Sequence, residues 1–170
     1  MNKATQVHSV LIPTDEEFGG VSQQVVLFHG EDFITIKGYA ATWDIDLQGD
    51  QVARGAFKAS LAAMLGARLA VPMFVDHQYQ VCVGVFEIEH MLEDDKGLWV
   101  EGKINRQLGV SPLISKLLRE RVLIGLSYGG LIDNLVHLNG VRVFTELTLM
   151  EISITADPQN TDSLISVISD

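Results

Sequence analysis

The sequence predicts a mostly-β domain of α+β class: an antiparallel β-barrel, closed or nearly closed, surrounded by a few helices. Three observations carry this expectation. Runs rich in β-branched and aromatic residues recur along the chain, separated by short clusters of turn-forming residues. Two of these clusters, Glu93-Asp94-Asp95-Lys96-Gly97 and Asn139-Gly140, have the composition of hairpin turns. Only two internal stretches place apolar residues at helical spacing.

Residues 1–20 are polar and aperiodic, contain Pro13, Asp15, Glu16 and Glu17, and end at Gly19-Gly20. They predict a flexible or loosely attached arm ahead of a single domain over residues 21–170. Strand-like runs at 22–28 and 33–41 flank His29-Gly30-Glu31-Asp32 and suggest a hairpin. After an aspartate-rich loop, Phe57, Leu61, Met64 and Leu65 predict a helix over 56–65. Strands are expected at 70–76, 81–90 and 97–104, the last two joined by the turn at 93–97. A second helix is expected over 111–121. Ser111 is its candidate N-cap, Pro112 stands at its first position, and Leu113, Ile114, Leu117 and Leu118 form one apolar face. Strands at 122–136 and 141–156 follow, and Pro158-Gln159-Asn160 stops the second of them. Residues 162–169 suit a short helix or strand. The chain contains no internal repeat or low-complexity segment.

Composition narrows the function. The net charge is −10, with 12 basic residues against 22 acidic ones. That balance argues against nucleic acid, whose phosphate backbone needs clustered Lys and Arg, and against an anionic membrane surface. A chain of 170 residues, 47% of them hydrophobic, can bury about two-thirds of its unfolded surface, so neither disulfide nor metal is needed for a core. Cys82, the only cysteine, lies in Val81-Cys82-Val83 and reads as a small buried hydrophobe. The first thirty residues show no basic-then-apolar leader, and no run approaches the ~18 apolar residues of a membrane span. The expected location is the cytosol, or a particle assembled there.

Polar residues that interrupt apolar strands are the candidates for chemistry, because burying them is costly unless they are paired. Asp76-His77 ends the run Val71-Pro72-Met73-Phe74-Val75. Ser127 lies in Gly125-Leu126-Ser127-Tyr128-Gly129-Gly130, and Glu151 interrupts Leu147-Thr148-Leu149-Met150-Glu151-Ile152-Ser153-Ile154. A hydroxyl, an imidazole and a carboxylate are what nucleophilic acyl transfer requires. Serine needs a base to take its proton, histidine titrates near the working pH, and a third group fixes the ring tautomer. Pattern alone leaves the bland readings ahead: a structural histidine, a turn serine and a solvent-facing glutamate.

Five blocks alter that balance. Gly38-Tyr39-Ala40-Ala41-Thr42-Trp43 with Gly49-Asp50-Gln51-Val52 and Arg54-Gly55-Ala56-Phe57 resembles the opening signature of the prohead (head-maturation) serine proteases of tailed phages. Asp76-His77 with Val83-Gly84-Val85 resembles that family's histidine segment, and Gly97-Leu98-Trp99-Val100-Glu101-Gly102 its central hairpin. Gly125-Leu126-Ser127-Tyr128-Gly129 resembles its nucleophile strand. Leu149-Met150-Glu151-Ile152-Ser153-Ile154, with Pro158 and Asn160, resembles its closing motif. The blocks run in order over residues 38–160, about three-quarters of the chain. The family is in turn distantly similar to the herpesvirus assembly proteases (assemblins), which carry a serine and two histidines on a β-barrel.

The resemblance implies a herpesvirus-protease-like fold and a serine endopeptidase that needs no cofactor or metal. Ser127 would be the nucleophile and His77 the base. Glu151, 24 residues after Ser127, would stand where the herpesvirus enzymes have their second histidine. A carboxylate is a stronger partner for an imidazolium, so the role survives the change. Glu146 is the rival; five residues away in a regular strand, it would face the other side. The oxyanion donors stay open between backbone N–H groups near Gln159 or Asn160 and a side chain elsewhere. The implied substrates are the phage's major capsid or scaffold protein and the protease itself. The implied setting is the immature capsid, the prohead, in the host cytoplasm, with self-association as a dimer. The alternative is a non-catalytic capsid-assembly or scaffolding module on the same barrel. The loop Asp44-Ile45-Asp46-Leu47-Gln48-Gly49-Asp50 has the oxygen-ligand spacing of a calcium loop but lacks a later bidentate Glu and flanking helices, so a tight turn is favoured.

Overall fold

A computed structural model describes residues 5–13, 21–29 and 32–169. In chain order the elements are β1 (Thr5–Pro13), β2 (Val21–His29), β3 (Phe33–Thr42), β4 (Asp50–Val52), α1 (Lys58–Ala67), β5 (Leu69–Val75), β6 (Gly84–Phe86) and β7 (Leu92–Glu93). β8 (Gly97–Asn105), α2 (Ser111–Arg119), β9 (Gly125–Leu138), β10 (Val141–Thr155) and β11 (Ile165–Ser169) follow, with a 3-10 turn at Ile88–His90. The mostly-β expectation holds, but the barrel expectation needs correction. The sheet is mixed and does not close. Its main path is β11-β3-β8-β6-β5-β1-β2, and β10 branches from β5 to carry β4 and β9. β9 approaches the β11 end through a single bridge, Gly125 to Leu164.

The fork lies on one edge of β5. Leu69 and Ala70 pair with β1, while Met73, Phe74 and Val75 pair with β10, both in parallel. α1 connects β4 to β5, both of which run parallel to β10, and packs over β10. The expected hairpin across 29–32 does not form: β2 pairs with β1, and β3 pairs with β8 and β11. Part of the segment expected as a loose arm is therefore a strand; residues 1–4 and 14–20 lie outside the described residues. Val10 and Ile12 alternate into a small core with Ala70, Phe74 and Val85, and that burial holds β1 in place.

The hairpin at 139–140 forms as expected, and the turn at 93–97 forms too, but its first arm is β7: of the strand expected at 81–90 only Gly84–Phe86 is extended, and a 3-10 turn follows it. Asp94 closes the β7–β8 turn by donating its N–H to the Gly97 carbonyl (2.9 Å). Asn139 and Gly140 turn β9 into β10 with φ of 53° and 84°, a left-handed pair that Asn and Gly tolerate. Residues 165–169 resolve as strand β11. In α2, Ile114 and Leu118 are buried and Leu113 is 59% exposed, so the apolar face is narrower than expected. Ser111 is not the N-cap. It is the first helical residue, and its hydroxyl donates to the Asn105 carbonyl, tying the helix to the end of β8.

The main core lies on one face of the β5–β10–β9 layer, and its periodicity decides the site. Leu147 and Leu149 point into it, and so do Ile152 and Ile154. A step of three between Leu149 and Ile152 breaks the two-residue alternation of a strand. A register shift opposite Gly129-Gly130 produces it, leaving Met150 as the extra residue of a bulge. The Leu149 N–H finds the buried Ser60 hydroxyl of α1 at 3.0 Å. After the bulge, Glu151 and Ser153 point to the face opposite the core.

Candidate active site

Ser127, Ser153 and Phe74 stand in register on neighbouring strands β9, β10 and β5 and share one face of the sheet. Two residues earlier on β10, Glu151 shares that face. Just beyond β5 the chain makes a tight turn closed by the Gln78 N–H to the Val75 carbonyl (3.0 Å). Its central residues, Asp76 and His77, both have left-handed backbones, with φ of 46° and 57°. Non-glycine residues take that conformation at a cost and keep it only where the surroundings hold it. Here the Asp76 N–H donates to the Ile154 carbonyl and the His77 N–H to the Ser153 hydroxyl, each at 3.0 Å. The turn folds His77 back over β10.

All three residues singled out in the sequence meet there. His77 Nε2 lies 3.0 Å from Ser127 Oγ, and His77 Nδ1 lies 2.5 Å from Glu151 Oε1. An ionised carboxylate only accepts, so Nδ1 carries the ring proton and the Nε2 lone pair faces the serine hydroxyl. Glu151 is fully buried, whereas the His77 side chain is 41% exposed. The second carboxylate oxygen, Oε2, accepts the Ser153 hydroxyl at 2.8 Å. A buried charge is thus held by two donors, which its burial demands. The hydrogen bond to Glu151 raises the His77 pKa above its ordinary 6.5; burial opposes this, and the charges of Glu151 and Asp76 reinforce it. Tyr79, beside Phe74, has its phenol pushed up to about 12, first by burial and then by the Glu151 charge.

Glu146 is exposed on β10 beside α1, away from His77. Its parity with Glu151 is not that of a regular strand, because β10 shifts register at Phe144–Leu147 as well as at Met150. Two residues of the site escaped sequence reading. Ser153 was visible as a polar residue two positions after Glu151 and therefore on its face. Gly129 sits directly opposite Glu151, and only the ladder register reveals that.

The neighbouring loops are tied down by their own polar groups. Asp46 Oδ1 accepts the N–H groups of Gln48 (2.8 Å) and Asp50 (2.9 Å), and Asp50 makes a two-pronged ion pair with Arg142 that joins β4 to β10. Asn160 accepts the Thr42 hydroxyl at 2.8 Å, and the Gln159 carbonyl accepts the Leu47 N–H at 3.0 Å. The loop after β10 is thereby fastened to the one after β3. Cys82 is half-buried; its thiol donates to the Gly84 carbonyl at 3.1 Å, and burial pushes its pKa up. No helix among the described residues is long and apolar enough to cross a membrane.

The fold has solved counterparts. The bacteriophage T4 capsid assembly protease gp21 superposes with a TM-score of 0.57 at 10% identity, over 89% of this chain and 96% of that one. KSHV protease in complex with a hexapeptide phosphonate inhibitor superposes with a TM-score of 0.55 at 12% identity, over 81% of this chain. The chain spans 65% of the KSHV protease chain. No curated protein matches it by sequence. The model of the caudovirus prohead serine protease family matches residues 22–170, from the start of β2 through the whole serine–histidine–glutamate constellation. This chain belongs to the caudovirus prohead serine protease family.

Proposed function

We propose that the chain is a serine endopeptidase in which Ser127 is the nucleophile, His77 the general base and Glu151 the residue that orients and charges the base. The observation that carries this reading is the continuous line from Ser127 Oγ through both ring nitrogens of His77 to the buried carboxylate of Glu151. As Ser127 Oγ bonds to the scissile carbonyl carbon, its proton moves to His77 Nε2, and Glu151 stabilises the imidazolium. His77 then passes that proton to the leaving amine as the C–N bond breaks, leaving an ester on Ser127. Water attacks the ester with His77 again as base, which frees the acid and restores the serine hydroxyl. A left-handed His77 anchored through its own N–H keeps the imidazole in one place throughout.

Family membership and the capsid assembly role in the name of the T4 relative support capsid or scaffold protein as substrate, with the protease itself as a further one. The site of action would be the prohead. Self-association as a dimer belongs to the same reading, and light scattering that finds a strict monomer at working concentration removes it. The central test is mass spectrometry of the protein co-expressed with the capsid and scaffold proteins of its own phage, beside Ser127→Ala. Cleavage that disappears in the variant supports the reading. Cleavage that persists moves the nucleophile elsewhere.

A further inference from the structure

Resting on that assignment, we infer that Ser153 is a positioning residue for the catalytic base: its single hydroxyl holds the Glu151 carboxylate and the backbone of His77 in one fixed relation. Ser153 is fully buried, and its Oγ makes two directed contacts. It donates to Glu151 Oε2 at 2.8 Å and accepts the His77 N–H at 3.0 Å. Both groups belong to the pair whose mutual geometry sets the strength of the base. Without the hydroxyl, Oε2 loses its donor and the left-handed turn loses its side-chain anchor.

The position follows from the ladder. Ser153 is opposite Ser127 on β9 and opposite Phe74 on β5, so it shares the face of the nucleophile and lies buried in the floor of the site. Alanine would leave a buried oxygen and a main-chain N–H unpaired. The carboxylate could then turn about its last torsion, and His77 could relax toward an ordinary backbone. Either movement lengthens the contact from Nδ1 to Oε1. A hydroxyl that only filled space would have no such effect on the imidazole.

The consequence is read in the pH profile. The groups that bear on His77 are Glu151 from β10 and Asp76 within its own turn, with the Tyr79 phenol of the following loop coupled to the Glu151 charge. His77 must be neutral to act as base, so activity falls as pH drops through its raised pKa. A loosened Glu151 lowers that pKa toward its ordinary value, and the acidic limb moves to lower pH.

The experiment measures the rate of labelling by a fluorophosphonate across pH for wild type, Ser153→Ala and Ser153→Thr, together with the final stoichiometry of label. Ser153→Ala is expected to label about 10²-fold more slowly, with its acidic limb at lower pH. Ser153→Thr, which keeps the hydroxyl, is expected to restore the limb. The stoichiometry counts folded sites, so misfolding shows as fewer labelled molecules and leaves the limb unmoved. Wild-type rate and limb in Ser153→Ala overturn the inference, as does a displaced limb in a fully labelled Ser153→Thr. Failure of wild type to label overturns the protease assignment instead, which keeps the two failures apart.

Discussion

Gly129 faces Glu151 across the β9–β10 ladder, and a Cβ on Gly129 would stand 2.1 Å from Glu151 Oε1, the oxygen that His77 holds. The space a side chain would fill at position 129 is the space the carboxylate occupies. The glycine after Ser127-Tyr128 is therefore a steric requirement of the carboxylate on the neighbouring strand β10.

Gly129→Ala should displace that carboxylate while leaving the strands paired. A displacement on the order of 1 Å in such a contact costs about 10²-fold in rate. Active-site labelling kinetics, with circular dichroism to confirm the fold, check this. A wild-type rate in a folded Gly129→Ala protein would show that Glu151 does not need its observed place.

Glu151→Gln removes the charge at nearly constant shape. The hydrogen bond and charge of Glu151 hold the His77 pKa up, so the variant should carry its acidic limb to lower pH. Loss of the orienting carboxylate should also lower kcat by about 10⁴-fold, as in other serine triads. A limb at unchanged pH with near-normal kcat would exclude Glu151 as the third member.

Ser60→Ala tests the bulge that turns Glu151 out of the core. The Leu149 N–H, buried beneath α1, loses its acceptor, which should cost about 1–3 kcal/mol in chemical denaturation. Stability within a few tenths of a kcal/mol of wild type would mean that the bulge does not depend on α1.

Two leucines of α2 should separate cleanly. Leu118 is fully buried, and Leu118→Ala should cost about 2–5 kcal/mol. Leu113 is mostly exposed, and Leu113→Ala should stay within about 0.5 kcal/mol. Equal effects in denaturant titrations would mean that α2 presents a different face to the core.

The sequence by itself determined the local structure and the chemistry's ingredients. Hairpins at 93–97 and 139–140, both helices and the long strands around Ser127 and Glu151 follow from short-range preferences: turn residues, helical spacing and β-branched runs. The residue types at 77, 127 and 151 stand out because polar groups inside apolar runs are costly to bury. Tertiary structure alone decided the rest. That β5 forks between β1 and β10, that β1 joins the sheet, and that the ladder stays open are long-range pairings with no local signature. The same holds for the site's scaffold. Met150 became a bulge because Leu149 and Ile152 both had to reach one core, and only that packing conflict put Glu151 and Ser153 on the face of Ser127. His77 was turned left-handed by hydrogen bonds from a strand more than seventy residues away, a cost its own sequence neighbours could not have met.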